Sequence, residues 1–263
     1  MVSILEAESF HSILKSGRNS PLVVSCGNDD QETQEHIVKF RTNSSNENVC
    51  LICELIASLL AKDLELPVPD FSLVKVDKGF ANSIPDEDAK KLAHQSLGLN
   101  FGSTYLGIGS STWPIDQQIP ASMQSIAAEI YAFDILIQNP DRMSNNPNLL
   151  RRGNEIFIID HEVAFNSVMF PIIGEPAFPW EGQQLLMKKH IFFLSLKGSG
   201  KINFSRIESS FKSLDNKHFE GYSEVIPDEW KKGNDTTDKI IEYLKALKEN
   251  IDAALMSIKG VLA

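Results

Sequence analysis

Between Asn139 and Phe165 the sequence reads NPDRMSNNPNLLRRGNEIFIIDHEVAF, and three of its residues have types and spacing that could do chemistry. Asp141 is followed five positions later by Asn146, and Asp160 comes directly after the apolar run Ile156-Phe157-Ile158-Ile159. A loop carboxylate can orient an acceptor hydroxyl, and hard oxygen ligands can hold the magnesium that neutralises charge developing on a transferred phosphoryl group. The five-residue spacing lets one loop place two such groups, while a strand brings the third from the other side. The same residues also fit a polar loop leading into an ordinary hairpin that turns at Arg152-Gly153-Asn154.

A phosphotransferase site needs a second wall, so the upstream elements must be searched for a cation. Leu22 to Ser25 and His36 to Phe40 read as a strand hairpin across the polar, acidic segment from Gly27 to Glu35. Lys39 lies on the second strand. By strand alternation it could point to solvent, or it could serve as a compact point charge on phosphates. Residues 47–64 read as a helix, with Val49, Ile52, Cys53, Ile56, Leu59 and Leu60 on one face, stopped before Leu66-Pro67. Glu54 falls nearly opposite that stripe, flanked by Leu51, Leu55 and Ser58, which leaves both a second buried face and a solvated one open. Before the hairpin, Lys15 to Pro21 is a polar loop whose Gly17 would let backbone approach a ligand; a plain turn is the simpler reading.

The remaining elements are coarser. Residues 3–15 suit a short helix or a strand followed by a helix. Phe71 to Val76 and Phe101 to Leu106 read as strands, and 86–97 as a short helix. Gly107 to Ser111 reads as a hinge, giving a boundary between a strand-rich part at 1–109 and a second part at 110–263 that begins with a helix from Ser122 to Ile137. A loop from Asn166 to Trp180, with Phe170, Phe178 and Trp180, occupies the place of an activation or substrate segment. Helices are expected at 181–196, 203–213 and 235–258.

The 263 residues, 42% hydrophobic, carry a net charge of -10. That balance, with a pI near 5.1, argues against a general nucleic-acid binder, because phosphate backbones are recognised chiefly by positive fields. The N-terminus lacks the pattern of a signal peptide, and no apolar run approaches the roughly 20 residues of a membrane span. A soluble, cytoplasmic protein is expected. Cys26, Cys50 and Cys53 are too few and too odd in number for a disulfide scaffold. Cys50 and Cys53 have metal-pair spacing, but one-turn spacing on a helix favours buried free thiols.

Taken in order, IVKF at 37–40, CELIASLLAKDLELPVP at 53–69, FGSTYL at 101–106, NPDRMSNNPNLL at 139–150 and IIDHEVAF at 158–165 resemble the HipA-like kinase family, bacterial relatives of the persistence-toxin kinases. The resemblance implies an α+β, two-lobed protein-kinase-like fold, with a strand-rich N-lobe, a mainly helical C-lobe, and ATP and Mg2+ in the cleft. It also implies roles. Lys39 would contact nucleotide phosphates with Glu54 steadying it, and Gly17, Arg18, Asn19 and Ser20 would belong to the phosphate-covering loop. Asp141 would be the catalytic carboxylate, Asn146 and Asp160 the magnesium ligands, and His161 structural. Glu162 departs from the pattern, standing where similar sequences often have glycine, and Asn145 beside Asn146 offers a second amide. The expected reaction is γ-phosphoryl transfer to a protein Ser/Thr hydroxyl, with an antitoxin-like protein as a possible partner and no nucleic-acid or membrane partner. A nucleotide-binding module without transfer, or a small-molecule or lipid kinase, are the alternatives.

Overall fold

β-Branched and aromatic residues at alternating positions shape the N-terminal region into strands. A computed structural model describes residues 2–14, 20–29, 31–41, 45–107, 109–114, 117–169, 184–200 and 202–263. Strands β1 (Ile4–Ile13), β2 (Leu22–Asn28), β3 (Gln31–Lys39), β4 (Phe71–Val76) and β5 (Gly98–Thr104) close into a barrel in the order β1-β2-β3-β5-β4. Its pairings are antiparallel except β1 with β4. Closure leaves no unpaired edge to be covered. Leu5, Leu22, Val24, Val38 and Val74 pack in one apolar cluster with Phe80 and Ala93 from two short helices, α2 (Lys78–Ser83) and α3 (Glu87–Gln95), which follow β4.

Between β3 and β4 runs α1 (Ser45–Asp63). Leu51, Leu55 and Ser58 are as deeply buried as Ile52, Ile56 and Leu60, so the face carrying Glu54 is a second buried face. The helix ends as Glu65 turns to φ 55° and Pro67 follows. α1 belongs to a larger apolar cluster that includes Phe71 and Phe101 of the barrel and continues through Tyr131, Phe165, Trp230, Leu244 and Ile258.

From Ser110 onward helices dominate. A short sheet, β6-β7-β8, is formed by Ser110–Thr112, Leu149–Arg152 and Glu155–Ile158. The β7-β8 hairpin turns at Gly153, whose φ of 60° suits glycine. The helices are α4 (Gln124–Leu136), α5 (Asn166–Met169), α6 (Gln184–Lys189), α7 (Phe193–Leu196), α8 (Ser205–Ser213), α9 (Asn216–Val225), α10 (Asp228–Lys231), α11 (Thr236–Glu249) and α12 (Ile251–Leu262). The chain is thus mixed α and β, strand-rich in its N-terminal region and helical in its C-terminal region.

Several elements differ from their sequence patterns. The described residues of 3–15 hold one strand and no helix, because β1 finds ladder partners on both sides. Most of the polar segment from Gly27 to Glu35 is strand, and part of the Gly107 to Ser111 hinge enters β6. The expected 235–258 helix is two helices. Asn250 ends α11 and caps α12, its amide donating to the Ala246 carbonyl at 2.9 Å, the kind of competition with helical bonding that asparagine offers. The described part of 181–196 is likewise two helices, α6 and α7, parted at His190 to Phe192, which turn to meet the site loop. Phe170, Phe178 and Trp180 lie outside the described residues.

Candidate active site

Lys39 projects from the end of β3 on the face opposite Val38 and Phe40, and its side chain is only 13% exposed. Its ammonium lies 3.0 Å from Glu54 Oε2, 2.6 Å from Asp160 Oδ1 and 3.9 Å from Glu162 Oε2. Burial alone would lower the Lys39 pKa, but these carboxylates raise it above its ordinary value. Burial also pushes Asp160 upward, yet the neighbouring ammonium holds it below the usual carboxylate range. Glu54 ends above its ordinary value because burial, with the facing Asp160 carboxylate, outweighs the opposite pull of the Lys39 ammonium. One hydrogen bond therefore ties residues 121 positions apart.

Asp160 leaves β8 with φ 62°, a left-handed conformation that costs a non-glycine residue energy and persists only when neighbours impose it. Those neighbours are visible. Ile159 N–H, before Asp160, donates to the Asn148 carbonyl at 3.1 Å, and His161 N–H, after it, donates to Glu54 Oε2 at 2.6 Å. Asp160 is thereby held between α1 and the loop that carries Asp141.

That loop is folded by its own backbone. Met143 and Asn146 exchange N–H to carbonyl bonds at 3.0 Å each, so Ser144 and Asn145 form the exposed tip and Asn146 returns toward Asp141. The amides of Asn146 and Asn148 both donate to Asp141 Oδ2, at 2.8 and 3.2 Å. Asp141 Oδ1 is the oxygen directed away from those amides. Because Asn146 spends its nitrogen on Asp141, its carbonyl oxygen is the atom suited to a cation, as is the second oxygen of Asp160. Among the described residues no group of three or more His, Cys, Asp or Glu side chains could hold a metal. An amide oxygen and a carboxylate oxygen are hard donors of the kind magnesium takes alongside phosphate oxygens and water.

Beneath the loop lies an ionic hub. Asp134, on α4 amid Ile130, Phe133 and Ile135, binds Arg142 through Nε at 2.5 Å and Nη2 at 3.2 Å, Asn139 Nδ2 at 2.9 Å and His190 Nε2 at 3.0 Å. Arg142 is 1% exposed and also donates through Nη1 to the Asn148 and Ile159 carbonyls, and through Nη2 to His161 Nε2. It fastens the start of the loop, its end and the residue before Asp160 to one point. Although burial opposes it, Arg142 and His190 hold the Asp134 carboxyl well below the usual range. Burial pushes His161 down to about 3 and also lowers His190, so both imidazoles are neutral at pH 7.

Lys39, Glu54, Asp160 and the Asp141–Asn146 pair are therefore linked by these contacts. Ser20, exposed with φ 42°, shortly precedes β2, whose Leu22 pairs with Val38 beside Lys39, and Gly17, Arg18 and Asn19 lie outside the described residues. Sequence reasoning passed over Asp134, Arg142, His190 and Asn148. A charged Asp134 inside AEIYAFDILI was the available signal, since an aspartate so surrounded is buried only when paired. Cys50 is half-buried and Cys53 buried, neither in a disulfide, and burial raises the Cys53 thiol well above its ordinary value.

A strand lysine held by a helix glutamate, facing a loop aspartate and a strand-end aspartate, is the equipment of a phosphotransferase. The comparisons give the narrower class: the HipA-like kinase family model matches residues 11–257, and the chain belongs to that family. The crystal structure of the Helicobacter pylori proinflammatory kinase CtkA aligns with a TM-score of 0.51 over 95% of this chain and 96% of that one, at 12% identity. At that identity the likeness speaks to the fold. No match was found among curated proteins.

Proposed function

We propose that the protein is an ATP- and magnesium-dependent kinase that transfers the γ-phosphoryl group to a hydroxyl, with a Ser or Thr of a protein as the acceptor. The observation carrying this reading is the 2.6 Å contact between Lys39 and Asp160, which joins a barrel lysine to the residue beside the Asp141 loop. In this reading the barrel and the helical region are two lobes, meeting near residue 109, with the nucleotide between them. Lys39, steadied by Glu54, binds phosphate oxygens. The side-chain oxygen of Asn146 and the Asp160 carboxylate would hold magnesium, which would supply charge neutralisation and alignment. Asp141, its Oδ2 fixed by two amides, presents Oδ1 to the acceptor hydroxyl and receives its proton as the hydroxyl oxygen bonds to the γ-phosphorus and the bond from that phosphorus to the bridging oxygen breaks, releasing ADP.

No described helix is long and apolar enough to cross a membrane. The test is a thermal-shift titration with ATP and magnesium, together with a radiolabel transfer assay on protein acceptors. Magnesium-dependent binding and labelling are expected, both weakened in Asp160→Asn. Binding without transfer under all acceptor conditions would replace this reading with that of a nucleotide-binding module, and labelling only of small molecules or lipids would change the acceptor class.

A further inference from the structure

The ladder between β3 and β5 runs from the pair His36 and Thr104 to the pair Lys39 and Phe101, and stops there. In that register Arg41 would stand opposite Leu99. In place of that rung, both backbone groups of Leu99 are taken by side chains from the helical region. Its N–H donates to Glu229 Oε1 at 2.7 Å, and its carbonyl accepts from Trp230 Nε1 at 2.8 Å. Glu229 and the wholly buried Trp230 are consecutive residues of α10, which also packs against α1. Arg41 is held by side chains as well. Its N–H donates to Asn100 Oδ1 at 2.6 Å, and its Nη2 donates to the Leu97 carbonyl at 2.6 Å and lies 3.5 Å from Glu229 Oε2. Gly98 makes room for the approach: its φ is 110°, and a Cβ there would stand 2.7 Å from the Glu229 carboxylate.

Lys39 therefore sits on the last rung of its strand, and a strand end with nothing beyond it is where local opening costs least. We infer that Glu229 and Trp230 are positioning residues for Lys39: α10 takes over the edge of β5 just past that rung, grips Arg41 two residues beyond it, and so fixes from outside the cleft the strand end from which the ammonium reaches Glu54 and Asp160. The helical region thus holds Lys39 twice, through Asp160 within the cleft and through α10 behind it. Because α10 also packs against α1, which carries Glu54, a single element sets the backbones of both partners in the Lys39–Glu54 pair. The pair stays closed throughout, and the clamp acts on the strand and helix that present it.

The consequence for catalysis rests on the proposed phosphate-binding role of Lys39, whereas the positioning itself can be read without nucleotide. Acetylation of Lys39 by dilute acetic anhydride, followed by peptide mass spectrometry, reports how firmly the ammonium is held. Glu229→Ala is expected to acetylate Lys39 at least about fivefold faster than wild type, as a released strand end opens locally, and Glu229→Gln, whose amide oxygen still accepts the Leu99 N–H, within about twofold of wild type. Trp230→Phe keeps an aromatic ring in the core and removes the Nε1 donor; it too should accelerate Lys39, and it carries the test if Glu229→Ala does not fold. Wild-type rates at Lys39 in these variants overturn the inference. So does an equal acceleration at Lys248, which donates to the Leu214 carbonyl within the helical region, since that would mark general loosening. In turnover, KM for ATP should rise about tenfold in Glu229→Ala with kcat within about twofold, because saturating nucleotide draws Lys39 back into place. A fall in kcat with KM unchanged would put the defect at the Asp141 loop and overturn the inference. Wild type that binds no ATP would refute the proposed function, and the acetylation rates would still decide what positions Lys39.

Discussion

Two buried ionic clusters lie side by side in this molecule, and they are built on opposite principles. Around Arg142 the charges are matched. Its donors meet Asp134, two carbonyls and His161, and the Asp134 and Arg142 side chains have no exposure. Around Lys39 they are not: one ammonium faces Glu54, Asp160 and Glu162, and the Asp160 side chain is 26% exposed. A saturated, dry cluster has one low-energy arrangement, because any departure leaves a charge buried without a partner. A cluster with surplus carboxylates and access to water can exchange partners. The first therefore shapes the loop, and the second is the one able to exchange partners, as the proposed function requires.

The comparison can be broken by substitutions that ask each cluster for what it is thought to supply. The largest effect is expected from Asp141→Asn, beside the exchanging cluster. Phosphoryl transfer should fall by about 10³-fold, in the range for a lost general base, while urea unfolding stays within about 1 kcal/mol of wild type. Asp134→Asn should do the reverse in kind. It leaves Arg142 buried without its carboxylate and should lower unfolding free energy by about 3–5 kcal/mol, measured by urea denaturation, with activity lost through the disordered loop rather than through chemistry.

A smaller effect is expected from pH. Burial lowers the His36 and His190 pKa values from the ordinary 6.5, so the unfolded chain binds protons more readily than the folded one as pH falls below about 6.5. Their contribution is fully present above that value and is lost on acidification, at up to about 1.4 kcal/mol per pH unit for each histidine. Unfolding free energies at pH 7.5 and 5.5 should show the loss, and His190→Gln should reduce it. Asp134 adds a loss of the same sign only at lower pH, below the ordinary carboxylate value of 3.8. The smallest effect should come from Lys75→Gln, which removes a pair with Glu6 in which both side chains are about half exposed; a change under about 0.5 kcal/mol is expected in the same urea assay.

How much of this could be read beforehand varies with the range of the forces involved. The α1 boundaries, the β7-β8 hairpin and the α4 helix follow from apolar periodicity and from proline and glycine punctuation, which act within a few residues. Asn146 rather than Asn145 meets Asp141 because of the Met143–Asn146 bonds, a turn closed within the loop itself. By contrast, β1 looked ambiguous because its strand character comes from β2 and β4. The 235–258 helix looked continuous because apolar residues keep their spacing across Asn250.

The sequence by itself, then, determined the residue types available for phosphoryl chemistry, their order and the local elements that carry them, because those follow from spacing along the chain. Only the tertiary structure decided that Lys39 meets Asp160, that Glu54 faces inward, and that Arg142, one residue from the candidate base, is a buried clasp. Each of those outcomes depends on which distant group neutralises a charge removed from water, and that is settled when the elements pack.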